Sequence, residues 1–264
     1  MPAMSDRVTA PNVRAMKSLG QKVVCITAYD AIFGRLADSA GVDLILVGDS
    51  AGNTVMGHPN VLKVSVEDIA HHTAAVARGV KRALLVADLP FGSYQESSIQ
   101  AVHSAVTLVK AGAQAVKLEG DYVDAVQAIR RAGIPVMGHV GMTPQSVHTY
   151  GGFKMQGRGN DAGAVIEAAK ALDEAGVFAL VLELIPSVLA SEITAAVSCP
   201  TIGIAAGVHC DGEIQIIYDI LGFSARQYRH TKPFINGSEL VGEAIARYAS
   251  EVREGAFPGE EQAV

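Results

Sequence analysis

Short apolar runs alternate with helical stretches along most of this chain, and four of the runs lead straight to a carboxylate. The runs 44–47, 84–87, 115–118 and 180–182 lead to Asp49, Asp88, Glu119 and Glu183. Strands joined by helices imply parallel pairing, because a parallel pair needs a crossover of about a dozen residues or more. In a closed parallel barrel the carboxyl ends of all strands meet on one face, so acids far apart in sequence surround one small volume. Such a cluster suits a hard divalent cation and the removal of a proton.

The remaining elements fit a (β/α)8 TIM barrel. Thr9 and Pro11 start a short helix with Val13, Met16 and Leu19 on one face, placed to lie across the bottom of the barrel. Strands are expected at 22–29, 44–48, 83–88, 115–119, 135–140, 179–184, 201–205 and, on the weakest pattern, 214–218. Helices are expected at 31–40, 99–111, 122–132, 162–175 and 188–197, and Ser65 with Asp68 forms a capping box for another. Gly41, Gly112 and Gly133 follow three of these helices as stop signals. The length of 264 residues matches the roughly 250 typical of one such barrel, so 1–264 reads as a single domain.

Composition narrows the function classes. With 49% hydrophobic and 18% charged residues, the chain favours a large core and buried subunit contacts. A net charge of -6 without a basic stripe argues against a nucleic-acid partner and for a small molecule. No run of about 18 apolar residues is present to span a membrane, and 1–20 lacks the apolar core of a signal peptide. Cys25, Cys199 and Cys210 show no Cys-x-x-Cys spacing, which suits a reducing cytoplasm rather than a disulfide or zinc framework.

At the strand ends, Lys117 and Glu119 are two residues apart and share a face, so both can enter one cavity, or else pair to seal the barrel mouth. Asp49, Asp88 and Glu119 offer only oxygen, which makes magnesium the natural ion, with room for a 2-oxo acid to chelate it. Taken singly, Asp49 or Asp88 is equally well a helix cap, and their repetition is what favours the site. His139 ends the fifth strand on the reactive side, either touching substrate or serving the core. His71 and His72 read as packing and surface. The Gly-rich segment 141–163 reads as a lid in which Lys154 or Arg158 meets an anionic tail, or as a solvated excursion. It lacks the spacing of a dinucleotide site.

Specific motifs go further. Thr-Ala-Tyr-Asp at 27–30, Val-Gly-Asp-Ser at 47–50, His-His-Thr-Ala at 71–74, Ala-Asp-Leu-Pro-Phe at 87–91 and Val-Lys-Leu-Glu-Gly at 116–120 occur in order. Gly-His-Val-Gly-Met-Thr-Pro-Gln-Ser at 138–146, Gln-Gly-Arg at 156–158, Val-Leu-Glu at 181–183 and Phe-Pro-Gly-Glu-Glu at 257–261 follow. Together they resemble the ketopantoate hydroxymethyltransferase family over nearly the whole chain.

The resemblance implies transfer of a hydroxymethyl group from 5,10-methylenetetrahydrofolate to 3-methyl-2-oxobutanoate, giving 2-dehydropantoate in pantothenate biosynthesis through a magnesium-stabilised enolate. It implies Asp49, Asp88 and Glu119 as magnesium ligands, and Asp49, Ser50, Asp88, Lys117 and His139 against the oxo acid. Glu183 would be the proton acceptor, and the assembly a homodecamer. Ala205 stands where the family commonly has Gly, and 226–234 replaces its usual Pro-Lys-Phe segment. The alternatives are a lyase of the phosphoenolpyruvate mutase/isocitrate lyase type acting on a 2-oxo acid, which commonly needs a Cys on a mouth loop, and a catalytically idle barrel.

Overall fold

Thr9 and Asn12 exchange capping hydrogen bonds at the start of α1 (Ala10–Ser18), with Thr9 donating its N–H to Asn12 Oδ1 at 3.0 Å. The computed structural model describes residues 7–224 and 228–263. They fall into two compact units, divided between Ile216 and Ile217, within the span that chain length alone suggests as one domain.

The larger unit is a closed parallel barrel whose strands run in sequence order, with β8 returning to pair with β1. Its strands are β1 (Val23–Thr27), β2 (Leu44–Val47), β3 (Leu84–Asp88), β4 (Ala115–Lys117), β5 (Val136–Gly141), β6 (Ala179–Glu183), β7 (Thr201–Ile204) and β8 (Gly212–Gln215). Between them lie α2 (Ala31–Ser39), the short α3 (Ala51–Thr54), α4 (Val66–Gly79), α5 (Ser98–Lys110), α6 (Val123–Arg131), α7 (Ala162–Ala175) and α8 (Ser187–Ala196). The TIM barrel and its N-terminal helix are as the alternation implies.

Strand eight differs. It begins at Gly212 and ends at Gln215, and the apolar stretch expected to finish it forms the short helix α9 (Ile217–Ile220) of the second unit. Register explains the shift: Gly212 pairs with both Val23 and Ile202. A Cβ there would meet the Val23 carbonyl oxygen at 2.3 Å. The second unit also contains α10 (Gly237–Glu254), which was not foreseen.

Two features of the barrel position the site. Leu44, Leu84, Val86, Ala115, Met137, Ala179, Val181 and Ile202 fill the interior in contact with Val13 of α1, so that the amino-terminal end is sealed by side chains. Arg14 donates to the Val177 carbonyl at 2.7 Å and Lys17 to the Thr194 carbonyl at 2.6 Å, fastening α1 across the floor. Because side chains alternate along a strand, the next inward layer above Val86, Ala115, Met137 and Val181 is Asp88, Lys117, His139 and Glu183. The apolar plug thus ends where a charged layer begins. No described helix is long and apolar enough to cross a membrane.

Candidate active site

The β3–β4 register sets Asp88 beside Lys117, and their side chains form an ion pair with Nζ 2.6 Å from Oδ1. The other Asp88 oxygen accepts the backbone N–H of Asp49 at 3.0 Å, which fixes the turn after β2. Gly48 makes that turn possible, since a Cβ there would lie 2.7 Å from Ser50 Oγ. Ser50 in turn shares a 2.8 Å hydrogen bond with the Tyr29 hydroxyl. Asp49, Asp88, Lys117, Glu119 and His139 are all buried, and the Glu183 side chain is 21% exposed.

Gln145 joins these pieces, and no spacing or charge signal in the sequence singles it out. Its side-chain amide donates to Asp49 Oδ2 at 2.8 Å and to the Leu89 carbonyl at 3.0 Å, while its backbone N–H donates to Glu119 Oε2 at 2.9 Å. The Tyr94 hydroxyl donates to Gln145 Oε1 at 2.7 Å and accepts the Glu119 N–H at 3.1 Å. The Gly-rich segment therefore contributes to the centre through Gln145, which sits in a 3-10 turn (Pro144–Ser146). Lys154 and Arg158 are exposed. His71 is exposed, and His72 meets the Tyr29 carbonyl through Nδ1 at 2.7 Å.

The imidazole of His139 lies between two carboxyl groups, with Nδ1 3.5 Å from Glu119 Oε1 and Nε2 3.4 Å from Glu183 Oε2. Burial, reinforced by the Lys117 charge, holds its pKa well below the usual histidine range, so the ring is neutral. Burial and the Glu119 charge push Glu183 up to about 8. Burial pushes Glu119 up to about 7 against the opposing pull of Lys117. Asp49 is raised well above the ordinary aspartate range by burial, then by Asp88 and Glu119. Burial works against the Lys117 charge, but Asp88, Glu119 and Asp49 outweigh it and keep the ammonium protonated. More carboxyl groups are thus gathered at the rim than one lysine can keep ionised, and the surplus holds its protons.

The expected ligands Asp49, Asp88 and Glu119 share this network with the expected substrate contacts Lys117 and His139, and Ser50 borders it. Among the described residues no three His, Cys, Asp or Glu side chains stand together as a ready-made metal cage.

Such an arrangement can hold an anionic substrate beside a partly buried carboxyl base, and the family decides between reactions of that type. The ketopantoate hydroxymethyltransferase family model matches residues 7–260. The chain belongs to the ketopantoate hydroxymethyltransferase family. It is 50% identical over 257 residues to the 3-methyl-2-oxobutanoate hydroxymethyltransferase of Cyanothece sp., covering 96% of this chain and 98% of that one. Against the enzyme of the same name from Aeropyrum pernix it is 50% identical over 266 residues, with 98% and 95% covered. As a ketopantoate hydroxymethyltransferase family member it is an enzyme, a hydroxymethyltransferase.

Among solved structures it is similar to phosphonopyruvate hydrolase in complex with oxalate and Mg++, at a TM-score of 0.62 and 16% identity over 97% of this chain and 93% of that one. A 2,3-dimethylmalate lyase of the PEP mutase/isocitrate lyase superfamily aligns at a TM-score of 0.61 and 15% identity, covering 97% and 91%. At that identity the likeness shows a shared fold and nothing of the chemistry. Ala205, where the sequence resemblance leads one to expect Gly, takes φ +55, a left-handed conformation that glycine adopts without strain. The other departure, 226–234, lies partly outside the described residues.

Proposed function

We propose that this enzyme moves a hydroxymethyl group from 5,10-methylenetetrahydrofolate to 3-methyl-2-oxobutanoate, giving 2-dehydropantoate for pantothenate synthesis. The substrate class comes from the relatives' names. The observation that carries the chemistry is the placing of Glu183 Oε2 3.4 Å from His139 Nε2 on the rim that also holds Asp49 and the Lys117–Asp88 ion pair, where burial pushes the Glu183 carboxyl up to about 8.

The donor set fits a hard divalent cation on two counts: its ligating atoms are all carboxyl oxygens, and Lys117 alone cannot keep all of these buried carboxyls ionised, which a bound cation would do. Asp49 and Asp88 would hold magnesium, with Glu119 completing the set directly or through a water. When bound, the ion supplies Lewis-acid polarisation of the oxo acid's ketone and carboxylate.

The chain's own residues do the rest. Lys117 keeps a positive charge where the substrate carboxylate docks, and Ser50, held by Tyr29, offers a hydroxyl to it. Glu183, once ionised, accepts the C3 proton. A pKa near the working pH makes a carboxylate a strong enough base while leaving part of it ready. His139 stands within reach of Glu183 and Glu119 to share that proton. The balance is one C3–H bond and the two C–N bonds of the methylene carbon broken, one C–C bond formed to C3 and one C–O bond formed from a water, with the C3 proton and the second water proton passing to the two nitrogens of the departing tetrahydrofolate. Holding both reactants on one rim removes much of the bimolecular entropy cost.

Incubation with the oxo acid, methylenetetrahydrofolate and magnesium, followed by product analysis, tests the reaction: 2-dehydropantoate is the expected product. Exchange of the C3 hydrogen in heavy water without folate tests the base. Failure of that exchange would remove the enolate route. The same reading carries two further expectations: a homodecamer, consistent with the low charge content and checked by sedimentation, and a cytoplasmic setting, consistent with three buried free cysteines.

A further inference from the structure

Backbone strain in this barrel is concentrated beside Glu183. The register pairs Gly141 with Glu183 and Glu183 with Ile204, and the next residue along each of β6 and β7, Leu184 and Ala205, has a positive φ of 46° and 55°. Elsewhere among the described residues a left-handed backbone is taken by glycine, including Gly141 and Gly207 in the segments on either side. A left-handed leucine is an outlier, because its Cβ crowds the backbone. Core packing does not explain it, since Leu184 is only half-buried while Ile185 beside it is fully buried. Strain of this kind persists only where the surroundings over-determine it, and it gathers at reacting groups.

Backbone hydrogen bonds do the holding. The peptide that joins Glu183 to Leu184 is gripped from both neighbouring strands: the Glu183 carbonyl accepts the Met142 N–H at 2.9 Å, and the Leu184 N–H donates to the Ile204 carbonyl at 2.9 Å. One residue on, the Leu184 carbonyl accepts the Gln156 N–H at 3.1 Å, which ties the Gln-Gly-Arg motif to this point. Gly141 leaves room for the grip, since a Cβ on it would collide with the Glu183 carbonyl oxygen. The chain turns away at Leu184, so Glu183 is the last residue of β6 and closes the inward layer that carries Asp88, Lys117 and His139. We infer that Leu184 is a positioning residue for Glu183, an inference that rests on the role of base proposed above. The left-handed region open to a residue with a Cβ is small and that of glycine is wide, so leucine confines the backbone next to the carboxyl more narrowly than glycine would. That confinement keeps the Glu183 carboxyl at its place on the rim, with Oε2 3.4 Å from His139 Nε2.

The test compares Leu184→Gly with Leu184→Ala in the full chain. Both lose the leucine side chain beyond Cβ, so the difference between them isolates the Cβ. C3 exchange is followed in heavy water with magnesium over a range of oxo acid concentrations, and stability by urea unfolding. Leu184→Gly should lower kcat for exchange about tenfold, a part of the ~100-fold that a misplacement of about 1 Å costs, with KM for the oxo acid within about twofold of the parent. Leu184→Ala should recover most of that loss, although its unfolding midpoint lies at or below that of Leu184→Gly because it keeps the strain. A purely structural role would make rate follow stability, whereas here the two run in opposite order. Exchange by Leu184→Gly at the parent rate would overturn the assignment, as would an equal loss in both variants, which would give the effect to the side chain. A raised KM with kcat unchanged would overturn it too, by making Leu184 a substrate contact. So would a lower unfolding midpoint for Leu184→Gly than for Leu184→Ala, since no strain would then be stored there. If the parent itself exchanges no hydrogen, Glu183 is not the base and this role falls with it, while the unfolding comparison still reads the strain.

Discussion

Nε2 of His139 stands 3.4 Å from Oε2 of Glu183, a neutral imidazole beside a carboxyl that titrates near 8. Neither ring nitrogen makes a hydrogen bond to the carboxyl it faces, so the imidazole stands beside Glu119 and Glu183 without fixing the proton of either. The raised value of Glu183 means that it must ionise before it can act as a base.

Glu183→Gln should therefore lower C3 exchange by about 10²–10⁴, the usual worth of a positioned base, with the fold unchanged by circular dichroism. In the parent protein the exchange rate should rise with pH and level off above about 8, because the ionised carboxylate is the active form. A rate independent of pH from 6 to 9, on the order of the whole titration range of such a group, would assign the base elsewhere.

Stability without metal should fall as pH rises. Glu119 and Glu183 have folded pKa values of about 7 and about 8 against ordinary values of 4.5, so the folded chain binds their protons more tightly than the unfolded one. Their contribution is full below 4.5 and is lost as pH climbs through 7 and 8. Asp38, Asp68 and Asp173, all lowered from 3.8, act in the opposite sense at acid pH, and His139 and His230, both lowered from 6.5, oppose the decline up to that value, so it is read above it. Calorimetry in chelator should show Tm declining between these limits, and magnesium should raise Tm most at the alkaline end. An increase of Tm in chelator as pH rises from about 7 to about 8 would contradict the raised values of Glu119 and Glu183.

Gln145→Leu removes the amide that fixes Asp49 and leaves the Leu89 carbonyl and Tyr94 hydroxyl short of a partner. Urea unfolding should show a loss of about 1–3 kcal/mol. Magnesium titration should show affinity weaker by about 10–100-fold, as befits a residue that orients a ligand. Retained affinity would mean that Asp49 needs no such support.

Among the described residues, Leu184 and Ala205 alone combine a side chain with positive φ, at 46° and 55°. Ala205→Gly should relieve about 1 kcal/mol of left-handed strain, less what glycine adds to the freedom of the unfolded chain. A net gain of a few tenths to about 1 kcal/mol in urea unfolding is expected, and a loss would show that the Ala205 methyl packs productively.

The barrel was legible because its physics is periodic. Apolar runs named the strands, Gly41, Gly112 and Gly133 marked helix ends, and 162–175 matches α7 residue for residue. Strand eight was misplaced because Ile216 and Ile217 look like strand residues, whereas register with Val23 and Ile202 is a three-dimensional constraint. In the site, Asp88, Lys117, Glu119 and Glu183 stood out as charges ending apolar runs. Gln145 and Tyr94 did not, since a neutral amide and a phenol on loops carry no periodic signature and gain meaning only from what lies across the barrel.

With its floor stoppered by Val13 and bolted by Arg14 and Lys17, the barrel is a vessel with a single mouth. Reactants and water pass in and out by the same rim. Changes at the base can harden or soften the scaffold without touching the reaction, which leaves durability and catalysis free to be tuned at opposite ends of the same eight strands.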